Sequence, residues 1–163
     1  MAFAALCGGL GTAAIIDARH RRIPNVVSLA IALTGLTLAA AGWSDVTLAS
    51  AAMGLTIGFL LMLPGHTLGA TGAGDVKLFA AAGTLLGAAK IFPAFLCVAV
   101  AGGLFAVAIA WHRGRLARTL RFVSKLCRRP VDTKSAIESA REQNRFPYGP
   151  AIAVGCVIAA LMT

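Results

Sequence analysis

Residues 76–111 read VKLFAAAGTLLGAAKIFPAFLCVAVAGGLFAVAIAW, and Lys77 and Lys90 are the only charged side chains in that stretch. It divides at Lys90 into two apolar runs, 76–89 and 91–111. A helix crossing a bilayer needs roughly 20 apolar residues. The second run has that length, and the first reaches it only if flanking residues join the helix or if it lines protein rather than lipid. The stretch therefore reads as two consecutive membrane helices with one basic residue in the turn between them.

Working outward, further apolar stretches fall at 2–16, 26–42, 47–64 and 148–163. Residues of the AVILMFWYC set make up 58% of the chain and charged residues only 13%, whereas about 25% charged is usual for a globular protein. The mean hydropathy is +0.82. These values exclude an ordinary soluble domain. The expected fold is an all-α integral membrane protein, a polytopic bundle of about six transmembrane helices. Residues 1–163 are read as a single transmembrane domain. The opening run lacks the basic segment that starts a signal peptide, so it is read as a retained span.

Charge supplies the orientation. With alternating spans, all of the 15 Lys and Arg except Lys90 fall on one side. The positive-inside rule makes that side cytoplasmic and turns both termini outward. Trp43 and Trp111 sit at opposite ends of their segments, as interfacial anchors do.

Most of the net charge of +9 lies in residues 112–147, read as a cytoplasmic basic loop. Within it, Leu116, Leu120, Val123 and Cys127 recur at helical spacing opposite Arg118, Arg121, Lys125 and Arg128. A basic amphipathic helix ending at Pro130 is expected to lie on anionic lipid headgroups; no nucleic-acid partner is expected. Ser135 and Glu138 have the spacing of a capping box, and Phe146-Pro147-Tyr148-Gly149-Pro150 breaks the chain before the last span.

Cys7, Cys97, Cys127 and Cys156 form no C-x-x-C pair, so neither a zinc site nor a disulfide is expected. No cofactor is implied. Gly54-x-x-x-Gly58 and Gly83-x-x-x-Gly87 read as small-residue faces for close helix packing.

The acidic residues are the informative ones. Before residue 132 only Asp17, Asp45 and Asp75 occur, and Asp45 falls in a short outer turn. Asp17 closes the first apolar run and Asp75 opens the fourth, both on the cytoplasmic side by the charge count. Ionisable groups at membrane depth are costly and usually face a cavity or a partner. Two adjacent carboxylates share one proton. The charged member can then accept a proton from an attacking water while the neutral member donates to an amide carbonyl oxygen. Charge alone leaves open the plainer possibility that Asp17 neutralises Arg19 or Arg21 and that Asp75 pairs with Lys77.

The neighbouring residues decide between these readings. Asp75 lies in Thr71-Gly72-Ala73-Gly74-Asp75-Val76-Lys77, a G-x-G-D motif followed by V-K. Asp17 lies in Asp17-Ala18-Arg19-His20-Arg21-Arg22-Ile23-Pro24-Asn25, or D-x-R-x-x-R-I-P-N. With these two motifs and the closing Pro147–Ala153 stretch PYGPAIA, the chain resembles the type IV prepilin peptidases. These are membrane aspartic proteases that share the G-x-G-D loop with preflagellin peptidases and, more remotely, with presenilin-like enzymes.

The resemblance implies that Asp17 and Asp75 are the catalytic pair and that Gly72 and Gly74 shape the loop. Lys77 is the basic residue that follows it, and Arg22, Pro24 and Asn25 have structural or substrate-positioning roles. Pro24 fixes the chain ahead of the second span, and Asn25 is expected to cap that helix. The implied substrate is a prepilin or pseudopilin, cut at the cytoplasmic end of its hydrophobic helix after a short basic leader. The implied location is the bacterial cytoplasmic (inner) membrane.

Larger members carry an additional cytoplasmic domain with two C-x-x-C pairs, and many methylate the new pilin N-terminus. This chain has neither pair and resembles the compact branch serving Flp-type pili, so methylation is not expected. His66, in the loop before Asp75, is read as solvated. The competing function is a small transporter or channel subunit using Asp17 and Asp75 as a proton or ion relay. A relay wants acidic groups at several depths, and the spans have none within them. A third reading is a non-catalytic scaffold of pilus assembly.

Overall fold

The computed structural model describes residues 1–20, 22–67, 71–112 and 148–162. These residues form α1 (Ala2–His20), α2 (Asn25–Ala40), α3 (Leu48–Thr67), α4 (Ala73–His112) and α5 (Gly149–Leu161), with no strand among them. Residues 113–147 of the basic loop, with its expected amphipathic helix and capping box, lie outside the described residues, and His112, read as the start of that loop, ends α4.

Local chemistry sets most of the helix ends. Arg22-Ile23-Pro24 stops α1, because the residue before a proline is driven out of the helical region. Pro24 then holds the extended conformation at the N-cap of α2. At the other end of α2, Trp43 N–H donates to Leu38 O and Gly42 N–H to Ala39 O, with Gly42 at φ 69°. This is a Schellman cap, which satisfies carbonyls that the helix end would otherwise leave bare. Thr47 caps α3, its Oγ1 accepting from Ser50 N–H at 3.2 Å.

The stretch that decides the fold is one helix by hydrogen bonding but two by geometry. Within α4, Gly87 has φ 74° and ψ 173°, a conformation open essentially to glycine alone. In an unbroken helix Phe79 and Phe95 would stand about 24 Å apart; their ring centroids are 6.2 Å apart, edge to face. α4 is therefore a hairpin of two antiparallel arms, 73–86 and 88–112, turned at Gly87. Ala88 N–H, released by the turn, donates to Ser50 Oγ of α3 at 3.1 Å.

By length and composition α1, α3 and 73–108 of α4 can cross a membrane, while α2 and α5 are apolar but shorter. Gly87 folds the α4 stretch back on itself, so the chain divides there, three residues before the division at Lys90 read from the sequence. Large apolar side chains point outward all round the bundle, among them Val26, Leu29, Leu60, Val100, Leu104 and Leu161, each more than half exposed. Such a surface suits lipid and is wrong for water.

Inside, α4 is the hub against which α2, α3 and α5 pack, and α1 closes the bundle against α5. Lipid gives apolar helices little reason to associate, so close packing of small residues has to hold them. Gly54 and Gly83 provide it, backbone against backbone, and Gly58 lies over Phe79 O and Ala80. Gly87 packs as closely, its carbonyl carbon 3.0 Å from where a Cβ on Gly54 would stand, and beyond that expected packing role it also makes the hairpin turn.

Alternation then gathers the chain into two ends. One holds the end of α1 and the starts of α2, α4 and α5. The other holds Trp43, Gly87 and Lys90, whose Nζ donates to Ala160 O at 3.2 Å near the end of α5. Both aspartates lie at the first end.

Candidate active site

Asp17 lies in the last turn of α1, and it is 5% exposed. At that position the negative end of its own helix dipole works against a carboxylate. The compensation comes from another helix. Gly149 N–H, at the first residue of α5, donates to Asp17 Oδ2 at 2.8 Å. The first N–H groups of any helix have no partner within it, and together they form a natural anion site. Pro150, next in α5, lacks an N–H and so leaves no further donor unsatisfied there.

Asp75 is held by the same device in local form. It is the third residue of α4, and its Oδ2 accepts from Gly72 N–H at 2.9 Å. A carboxylate reaching back from this position to the N-cap amide is half of a capping box. Asp75 N–H and Val76 N–H both donate to Gly72 O. A Cβ on Gly72 would stand 3.0 Å from Asp75 Oδ2, so the first glycine of G-x-G-D makes room for the carboxylate.

The second glycine makes room for the other motif. A Cβ on Gly74 would meet Ile23 Cβ at 3.3 Å, so the R-I-P-N segment rests directly on the start of α4. Alongside, Lys77 Nζ donates to Asn25 Oδ1 at 3.1 Å in an exposed position. Asn25 therefore does not cap α2: Pro24 holds the N-cap, and Asn25, already inside the first turn, accepts from Lys77 instead. Arg22 and Pro24 are exposed at the same end of the bundle.

His66 departs from its expected solvated state. It is half-buried in the last turn of α3, with Nδ1 3.2 Å from Thr71 O, while Thr71 N–H donates to Gly65 O. These bonds hold the segment that leads into Gly72.

Sequence reasoning read Tyr148 and Gly149 only as part of the break before the last span and assigned no role to Gly102, and all three shape the site. Gly149 holds Asp17. A Cβ on Gly102, in the second arm of α4, would stand 2.6 Å from Tyr148 Oη and 2.7 Å from Cε2. The tyrosine ring therefore sits directly on the backbone of α4. Burial first, and then the charge of Asp75, push the Tyr148 phenol above its ordinary range; it stays protonated at neutral pH. The signal for Tyr148 and Gly149 was the PYGP stretch itself, two helix breakers around an aromatic ahead of an apolar run; Gly102 carried no such signal. Nothing in the linear sequence shows which carboxylate they face.

Among the described residues no three His, Cys, Asp or Glu side chains are grouped to hold a metal ion. What the arrangement offers is two carboxylates at one end of an apolar bundle, each bound by a helix N-terminus, and a protonated phenol near one of them.

Apolar helices with ionisable groups gathered at one end define a polytopic membrane protein with a site at the bundle's edge. The model of the type IV leader peptidase family matches residues 4–107, which include both aspartates. The chain belongs to that family, and it is a membrane-embedded protease of the leader peptidase kind. No curated protein and no solved structure matches the chain.

Proposed function

We propose that the protein is an aspartic endopeptidase acting as a single domain. It removes the short leader of type IV, Flp-like prepilins or pseudopilins at the cytoplasmic face of the bacterial inner membrane, in a six-span bundle with both termini outward. Asp17 and Asp75 are the catalytic pair. The observation that carries this reading is the holding of both carboxylates at one end of the bundle, one by the N-terminus of α5 and the other by that of α4. Catalytic groups must be fixed before substrate arrives, because position is a large part of their effect.

The chemistry balances without a cofactor. One carboxylate takes a proton from water as its oxygen bonds to the scissile carbonyl carbon, and the neutral partner donates a proton to the carbonyl oxygen. The tetrahedral intermediate collapses, the C–N bond breaks, and the amine leaves with a proton returned from the pair. The substrate's hydrophobic helix stays in the membrane and only its basic leader reaches the site. Belonging to a peptidase family favours this chemistry over an ion relay.

The test is co-expression with a Flp-type prepilin, reading leader removal by mass, for the wild type, Asp17→Asn and Asp75→Asn. Both variants are expected to accumulate in the membrane and leave the prepilin uncut. Full processing by either variant would refute the aspartic mechanism.

A further inference from the structure

The site described above joins two motifs that are far apart in the chain, and the segment completing it lies beyond the residues matched by the family model. Tyr148 and Gly149 are adjacent, yet they reach different partners. Gly149 N–H donates to Asp17 Oδ2 at 2.8 Å. The Tyr148 ring occupies the notch left by Gly102, so close that a single added carbon would stand 2.6–2.8 Å from Oη, Cε2 and Cζ. One peptide unit thus connects the end of α1, the second arm of α4 and the start of α5.

We propose that Tyr148 is a positioning residue of this peptidase: seated on Gly102, it locks the start of α5 against α4 and so holds the Asp17 side of the site in register with Asp75. Three features support the assignment. Tyr148 is the N-cap residue of α5, and its carbonyl accepts from Ile152 N–H at 3.1 Å, so a shift of Tyr148 moves the helix start that holds Asp17. Its side chain lies within the field of Asp75 and remains a neutral donor there. Gly103, next to Gly102, faces open space, so the notch belongs to a single position of the helix. The inference rests on Asp17 and Asp75 being the catalytic pair.

The experiment uses the full-length enzyme in detergent and a purified Flp-type prepilin, with kcat and KM measured separately. Tyr148→Phe keeps the ring and removes the hydroxyl. Gly102→Ala keeps the tyrosine and fills its seat. Gly103→Ala is the control in the same helix and is expected to match the wild type. Tyr148→Phe and Gly102→Ala should each lower kcat by about tenfold or more with KM little changed, since misplacement by about 1 Å is enough for such losses. The double variant should lose much less than the product of the two single losses, because both act through one contact.

A residue that only stabilised the fold would lower the amount of folded enzyme and leave kcat per folded molecule unchanged; that result overturns the proposal. So does full kcat in both single variants. Asp17→Asn and Asp75→Asn run alongside separate the two levels of argument. If they are inactive while Tyr148→Phe and Gly102→Ala are fully active, only the positioning role fails. If the aspartate variants cut normally, the catalytic pair itself fails.

Discussion

Replacing Gly149 by alanine probes the contact between α5 and Asp17 with the smallest available change. Gly149 is not among the residues at positive φ, so alanine fits its backbone conformation and the effect is steric alone. The new Cβ would stand 2.9 Å from both Asp17 Cβ and Oδ2 and 3.2 Å from Cγ. Comfortable carbon contacts lie near 3.5–4.0 Å, so the start of α5 or the carboxylate must move by roughly 0.5–1 Å. The 2.8 Å bond from Gly149 N–H then stretches beyond useful range.

A hydrogen bond to a charged group contributes about 1.5–3 kcal/mol, which corresponds to a rate loss between roughly tenfold and 150-fold. We expect Gly149→Ala to accumulate normally in membranes and to remove prepilin leaders about a hundred times more slowly than the wild type. The assay is the rate of mature pilin formation per enzyme, read by mass. Gly8→Ala, where an added carbon meets nothing within 4 Å, is the matched control and should be indistinguishable from the wild type. A Gly149→Ala enzyme retaining more than about a third of the wild-type rate, less than the smallest loss worked above, would refute the reasoning.

The hairpin and the link between the two motifs give further tests. Gly87→Ala forces a side chain onto a φ of 74° and against Ser50 Oγ at 2.8 Å; a loss of about 1–3 kcal/mol is expected from the backbone strain alone. It should appear as a lower thermal midpoint in detergent, and an unchanged midpoint would mean the turn is not under that constraint. Lys77→Met removes a hydrogen bond to Asn25 that is exposed to water, and exposed contacts of a charged side chain contribute no more than about 1 kcal/mol, so leader removal should slow by less than about fivefold. A loss as deep as that of the aspartate variants would instead place Lys77 in the chemistry.

How much was legible beforehand depended on whether the signal was local. Lys90 between two apolar runs marked the division of α4, because a charge inside a span is expensive wherever the helix packs. The turn itself falls three residues earlier, at Gly87, which the sequence presented only as half of a packing pair. The link between Asp75 and Gly72 was legible in outline, since G-x-G-D puts donor and acceptor within one helical turn. Asn25 misled for a related reason: its type suits a cap, but Pro24 already held that place, and the side chain found Lys77 instead.

Composition and charge alone, then, determined a polytopic α-helical membrane protein, because no soluble core absorbs so many apolar residues with so few charges. They also assigned Asp17 and Asp75 to the same side, since span alternation is a counting argument. Tertiary structure decided what surrounds those carboxylates. Gly149 is 132 residues from Asp17 in sequence, and Tyr148 is also far along the chain from Gly102; such pairs meet only when α5 docks between α1 and the second arm of α4. A helix N-terminus is an anion site wherever it is placed, and which anion it holds is fixed by packing.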